Sequence, residues 1–310
     1  MSAKHLPTDV VVALDVGGTG MKCGLVRADG TVLHTERHPT DAGRGPDAVV
    51  ETILAVAEGL AGKARADGID PVAVGIAVPG VIDEARGIAV WSANLGFRDV
   101  PLRGLARERL GLPTALGHDV RAGGLAEARL GAGRDGGHVL FVAIGTGIAA
   151  AHVVDGTAAT GAHGAAGEIG HIQVRPGGPR CGCGRPGCLE AVSSAAAIGR
   201  RYSALAGVPA TAAEVADRAA AGEPLAADVW REAVEALADG LATGQSLYDV
   251  QTVVLGGGLA RAGTLLFDPL RAALHERLTF HREPRLVAAA LGDEAGCLGA
   301  ALLALDSLEK

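Results

Sequence analysis

Apolar positions along the chain follow two periodicities that alternate. A β-branched run, Val10-Val11-Val12-Ala13-Leu14, is closed by Asp15 and followed by Gly17-Gly18-Thr19, and a second apolar stretch ends at Val26. That pattern predicts strand, glycine turn, strand. Asp29-Gly30 predicts a further turn, with a third strand starting at Thr31-Val32-Leu33. Residues 48–66 switch to helical spacing through Val49, Ile53, Val56 and Leu60, and the apolar run from Val72 to Val78 then reads as a buried strand.

The same design recurs at 138–160. Val139 to Ile144 leads into Gly145-Thr146-Gly147, then Ile148 to Val154, then the turn Asp155-Gly156. This is a duplication of pattern, not of identity. A third strand-then-glycine element is Val253-Val254-Leu255 before Gly256-Gly257-Gly258. Between these lie a Gly/Pro/Cys-rich loop at 175–188 and an Ala-rich region at 194–246, which predicts several helices interrupted at Gly222-Glu223-Pro224. Residues 296–308 predict an apolar C-terminal helix. The fold class is α/β, with one lobe expected at 1–118 plus 297–310 and the other at 119–296.

Composition narrows the function classes. Of 310 residues, 48% are hydrophobic and only 3% aromatic, which suits an aliphatic core. A net charge of -7 and few aromatic platforms argue against a nucleic-acid partner. No apolar run approaches the ~20 residues a membrane helix needs, and Met1-Ser2-Ala3-Lys4-His5 leads into a strand instead of a signal sequence. The expectation is a cytoplasmic protein without membrane contact. Three of five cysteines fall within eight residues (Cys181, Cys183, Cys188), so a metal site is expected in place of disulfides.

Each motif carries a chemical reading beside a bland one. At Asp15-Val16-Gly17-Gly18-Thr19 the missing Cβ atoms let backbone N–H groups approach a polyphosphate, and the carboxylate can hold Mg²⁺; alone, it is equally a hairpin turn. The turns at Gly145-Thr146-Gly147 and Gly256-Gly257 favour the first reading, since three of them suit one extended anion. No Walker-type stretch is present. His171 with Cys181, Cys183 and Cys188 makes a Cys₃His set, a full tetrahedral shell for a structural zinc, with His163 as the rival fourth ligand. Such a shell would fix Glu168 and Glu190 in space.

Asp119 stands where a short strand hands over to a helix, a position at which Asp is ordinarily an N-cap. An acceptor hydroxyl also needs a base, and phosphoryl transfer commonly uses one positioned carboxylate, so Asp119 is the candidate. Asn94 reads as a turn residue or as a sugar contact. Cys23 and Cys297 read as core, and His34, His38, His275 and His281 as solvated surface groups.

Taken together, the Asp15-to-Thr19 turn, the Glu168-x-Gly-His171 element and the Cys181-x-Cys183-Gly-x-x-Gly-Cys188-x-Glu190 signature resemble the ROK family of sugar kinases and repressors, in order and spacing, from residue 10 to the last helix. The resemblance implies a two-lobed, actin-like (ribonuclease H-like) ATPase fold closing over ATP, Mg²⁺ and a hexose, with a structural Zn²⁺ loop. It implies Asp119 as general base on the C6 hydroxyl, and Asn94, Glu168, His171 and Glu190 on sugar hydroxyls, with Gly80 packed close to the sugar. His171 would also ligate zinc beside the three cysteines. Asp15, Gly17, Gly18, Thr19, Gly145, Thr146 and Gly147 would face phosphates and Mg²⁺, and Gly256 with Gly257 the adenosine.

Repressors of the family carry a DNA-binding segment before the first glycine turn, which begins here at residue 17, so a kinase is expected. Three departures stand out: His118 where Asn precedes the base, Gly20 and only later Lys22 where a basic residue follows GGT, and Ile148-Ala149-Ala150 where more glycines follow the second turn. An imidazole is bulkier than an amide, which bears on which sugar fits. The expected activity is an ATP-dependent glucokinase, the alternatives being an N-acetylhexosamine kinase acting on GlcNAc or ManNAc, or a non-catalytic sugar sensor. Family resemblance also implies a homo-oligomer, a dimer or tetramer.

Overall fold

A computed structural model describes Leu6 and residues 8–309; Met1–His5, where no signal sequence is expected, lies outside the described residues. In chain order the elements are β1 (Val10–Val16), β2 (Gly20–Arg27), β3 (Val32–Pro39), α1 (Pro46–Ala66), β4 (Ala73–Val78), β5 (Val81–Asp83), β6 (Ile88–Ser92), β7 (Phe97–Val100), α2 (Leu102–Leu110), β8 (Thr114–His118) and α3 (Asp119–Arg129). They continue as β9 (His138–Ile144), β10 (Ile148–Val154), β11 (Thr157–Ala158), α4 (Leu189–Ser193), α5 (Ala195–Ala206), α6 (Ala212–Ala220), α7 (Pro224–Tyr248), β12 (Thr252–Gly256), α8 (Thr264–Arg277), β13 (Arg285–Ala288) and α9 (Ala295–Leu308). Among the described residues no helix is long and apolar enough to cross a membrane.

The chain divides into two compact units. The first comprises Met1–Leu130, Ala158–Ala166 and Asp293–Lys310; the second comprises Gly131–Thr157 and Gly167–Gly292. In the first, the main sheet runs β3-β2-β1-β4-β8, with β5-β6-β7 as a small antiparallel sheet. β1 pairs antiparallel with β2 and parallel with β4, which pairs parallel with β8. Alternate strand residues such as Val12, Leu14 and Ile76 pack with Ile53 and Leu60 of α1, whose spacing places them on one helix face.

Helix α9 lies on the same sheet because small residues let it. A side chain at Gly75 of β4 would collide with the Ala300 carbonyl, and one at Gly299 with the Ala122 carbonyl of α3. Since α3 packs on α9, the first unit runs through Leu130, past the expected lobe edge at residue 118. Cys23 and Cys297 are buried there as core residues.

The second unit repeats the strand order, β11-β10-β9-β12-β13, with an antiparallel β9–β10 pair and parallel β9–β12 and β12–β13 pairs. The repeated sequence pattern therefore corresponds to two sheets of one topology. The Ala-rich region forms α5, α6 and α7, the last two separated where Ala221 to Glu223 interrupt it and Pro224 starts α7. Thr211 and Glu214 form a reciprocal capping box at α6.

Two expectations about histidines are corrected. His34 and His38 are half-buried, not solvated: on β3 both fall on the same face as Glu36, and their Nε2 atoms lie 3.1 and 2.8 Å from its carboxylate. With Lys63 3.3 Å away as well, that carboxyl is drawn down to about 2, against the opposing effect of burial.

Candidate functional site

In the first unit, the turn between β1 and β2 is closed by the Gly17 N–H donating to the Gly20 carbonyl at 2.9 Å and by the Thr40 hydroxyl donating to the Gly17 carbonyl at 2.6 Å. Thr19 is exposed at its tip. Gly18 packs on Asn94, where a Cβ would come within 3.1 Å of the Asn94 Cβ, so the candidate phosphate turn and the candidate sugar residue are neighbours. Asn94 is exposed in the turn joining β6 to β7. Gly80 has a φ of +112, and any side chain there would strike the Trp91 carbonyl of β6, which accounts for glycine at that point.

Asp15 sits at the end of β1, opposite Lys22 across the β1–β2 pair. Its carboxylate lies against the first turn of α9, where a side chain at Gly296 would overlap it. Burial, and then the charge of Asp119, push the Asp15 carboxyl up to about 6 in spite of Lys22.

Asp119 opens α3, but it is not the cap. The N-cap is His118, whose Nδ1 accepts the Arg121 N–H at 3.4 Å, and Asp119 is the first helical residue. The cap reading of Asp119 falls because its neighbour already fills that role. Asp119 Oδ1 accepts the Val120 N–H at 2.7 Å and lies 3.4 Å from His118 Nε2. Among the described residues no hydrogen bond or ion pair reaches Oδ2. Burial pushes this carboxyl up to about 6, although 26% of the side chain stays open.

Two charged residues beneath Asp119 carry no motif in the sequence. Arg121, 3% exposed, donates from Nε and Nη2 to Glu84 Oε1 at 3.0 and 2.8 Å, and from Nη1 to the Gly164 carbonyl at 3.0 Å. It thereby fastens 158–166 within the first unit, where Gly164 lies directly against the Ile82 carbonyl. The signal available in the sequence was an arginine in the first turn of an Ala/Gly-rich helix, set among residues that pack; its partner Glu84 had none.

In the second unit, the Gly145 N–H donates to the Gly147 carbonyl at 2.9 Å, closing the turn between β9 and β10, with Thr146 exposed. Glu190, in the first turn of α4, reaches this turn: its Oε2 accepts the Ile148 N–H at 3.0 Å. A side chain at Gly147 would press on that carboxylate. Gly256 ends β12, and Gly257, with φ +82, abuts the Ile144 carbonyl at the end of β9. The second and third glycine turns are thus adjacent.

His171, Cys181, Cys183 and Cys188 form one cluster, their ligand atoms all within 4.8 Å of one another. Cys181 Sγ lies 3.5 Å from His171 Nδ1, and Cys183 Sγ lies 3.6 Å from Cys188 Sγ. A tetrahedral zinc ion with ~2.3 Å bonds to sulfur separates its ligands by about 3.5–3.8 Å, so the residues fit the ion. His163, exposed in the first unit, is not among them. Nδ1 faces the thiols and Nε2 faces Glu168, whose Oε2 lies 3.8 Å away, while Cys181 Sγ is 3.8 Å from Glu190 Oε1. The cluster is therefore linked to both candidate sugar carboxylates, to Glu168 through the His171 ring and to Glu190 through the Cys181 thiol.

The sequence pattern of the ROK family matches residues 11–307. A glucokinase of Thermotoga maritima is 36% identical, covering 96% of this chain and 97% of its own. An N-acetylmannosamine kinase of Escherichia fergusonii is 34% identical, covering 94% and 97%. The crystal structure of a ROK family glucokinase from Streptomyces griseus in complex with glucose and AMPPNP superposes with a TM-score of 0.78 at 31% identity, covering 96% of this chain and 99% of that one.

Proposed function

The chain belongs to the ROK family, and from that premise we propose that it is an ATP-dependent hexose 6-kinase whose substrate is glucose. The observation that carries this reading is the state of Asp119: a carboxylate held at Oδ1, with Oδ2 unclaimed and its titration raised toward neutrality. That is the environment a general base for an alcohol requires. Similarity to glucokinases over nearly the whole chain supports the same assignment.

In the proposed reaction Asp119 accepts the proton of the sugar 6-hydroxyl as that oxygen bonds to the γ-phosphorus of ATP. The bond from phosphorus to the β,γ-bridging oxygen breaks, and ADP leaves with its electron pair. Asn94, Glu168, His171 and Glu190 orient the sugar by hydrogen bonds, and Gly80 keeps space for it. The turns that the Gly17 and Gly145 N–H groups close present the N–H groups of Gly18, Thr19, Thr146 and Gly147 to the phosphates, and Gly256 with Gly257 meets the adenosine. Asp15, a half-buried carboxylate within reach of Asp119's charge, suits Mg²⁺ bound directly or through water; the ion, when bound, neutralises phosphate charge. A zinc ion held by His171 and three cysteines has no open position, so its part is to order the segment around Glu168 and Glu190.

An N-acetylmannosamine kinase 34% identical to this chain favours a second reading, with an N-acetylhexosamine as substrate. Coupled detection of ADP across glucose, mannose, GlcNAc and ManNAc separates the two. The expected result is the highest kcat/KM on glucose. Higher kcat/KM on ManNAc or GlcNAc selects the second reading, and no ADP with any sugar rejects both.

A further inference from the structure

We propose that His118 is a positioning residue for Asp119, one ring nitrogen capping α3 while the other presents a fixed N–H to Oδ1 of the carboxylate. The inference rests on the reading of Asp119 as the base, and it concerns the position at which this chain departs from the Asn that the family resemblance implies.

The geometry leaves the ring little choice. His118 ends β8 and is 5% exposed, walled by the first turn of α3. Its Nδ1 accepts the Arg121 N–H at 3.4 Å, so Nδ1 bears no proton. Burial first, and the Arg121 guanidinium second, drive its titration down to about 3 against the pull of Glu84, so the ring is neutral wherever an enzyme of this kind works. A neutral imidazole with a bare Nδ1 carries its hydrogen on Nε2, and Nε2 lies 3.4 Å from Asp119 Oδ1. The charged groups facing it are Arg121, Glu84 and Asp119.

Oδ1 also accepts the Val120 N–H at 2.7 Å. Both protein contacts of the carboxylate therefore fall on one oxygen. The consequence is orientation: Oδ1 is held by the Val120 N–H and faced at 3.4 Å by the His118 ring, which together set the carboxylate plane and leave Oδ2 as the oxygen available to a hydroxyl. A donor on Oδ1 also favours the ionised form, partly offsetting the burial that raises the titration. A histidine here does for Asp119 what an outer-shell partner does for a metal ligand, fixing which lone pair points at the chemistry.

The ring can be read without any variant. ¹⁵N chemical shifts of His118 in the full-length protein are expected to show the Nε2–H tautomer, unchanged from pH 5 to 8; the Nδ1–H tautomer, or titration in that range, overturns the proposal. His118→Ser keeps a cap for α3 but cannot reach Oδ1. The expected result is a thermal midpoint near that of the wild type, kcat on glucose down about tenfold with KM for ATP unchanged, and the acidic limb of the kcat/KM profile displaced to higher pH. His118→Asn, which offers an acceptor and an N–H together, should recover part of the loss. A Ser variant with wild-type kcat and pH profile shows a cap and nothing more, and overturns the proposal. Carboxyl ¹³C titration of Asp119, assigned with Asp119→Asn, separates this from the reading it rests on. If no hexose yields ADP yet the ring reads Nε2–H and Asp119 responds to His118→Ser, the activity reading fails while the positioning stands.

Discussion

At Asp119 the identity of the residue and its place in the helix pull in different directions, and the structure decides between them. A strand-to-helix junction with Asp is, on sequence alone, a cap. Here His118 takes that role, which leaves the carboxylate of the next residue with one oxygen anchored and the other without a protein partner. Because a base must be ionised and this carboxyl titrates near 6, kcat/KM is expected to fall about tenfold per pH unit below that value and to level off above it. Asp119→Asn should lower kcat by about 10²–10⁴-fold while sugar binding, followed by calorimetry, persists; a variant keeping most of its turnover would remove Asp119 as the base. The carboxylate was legible in the sequence as a candidate. Its freedom was not, because that depends on which neighbour caps the helix, and histidine is an uncommon cap.

Among the elements, the segment 168–190 was the most legible part of the chain, since chelation needs particular residue types and the glycines around each cysteine announce the turns. Gly187 is such a case: at φ +72, pressed against the Arg175 carbonyl, it admits no side chain. The loop is also held by backbone bonds, Val174 and Arg175 N–H to the Gly187 carbonyl at 2.9 and 3.0 Å and Leu189 N–H to the Ile172 carbonyl at 2.9 Å. A zinc ion held by the cluster would share the work with these bonds, so Cys183→Ser should lower zinc content by elemental analysis and make 168–190 susceptible to limited proteolysis without unfolding α7. Unchanged metal content would refute the ligand assignment. What the sequence hid in this region is the relation of Glu190 to the second glycine turn. Forty-two residues separate Glu190 from Ile148, and only the packed chain shows that its carboxylate accepts that residue's N–H.

For the molecule as a whole, the repeat of apolar run and glycine turn was readable because strand burial imposes composition, and it returned as two sheets of the same order. The assignment of 158–166 and of α3 to the first unit was not readable, since the former depends on Arg121 reaching the Gly164 carbonyl from far along the chain and the latter on α3 packing against α9. Carboxylates held out of water also carry a cost that acts on the stability of the whole fold. Asp15 and Asp119 each titrate near 6 in the folded chain against 3.8 for a free carboxyl, so folding favours their protonated forms. Below pH 3.8 both are protonated whether folded or not, and no penalty arises. As pH climbs from there through 6 the unfolded chain ionises freely while the folded one resists, and stability is lost across that window. Asp15→Asn should therefore raise unfolding free energy by roughly 1–3 kcal/mol at pH 8 in the absence of nucleotide and magnesium, with the gain shrinking toward zero near pH 4. Urea unfolding at pH 4, 6 and 8 measures it. A gain that is the same at all three would mean that packing, not ionisation, sets the difference, and a loss at pH 8 would mean that the carboxylate is stabilised in the fold by Lys22 more than burial and Asp119 oppose it.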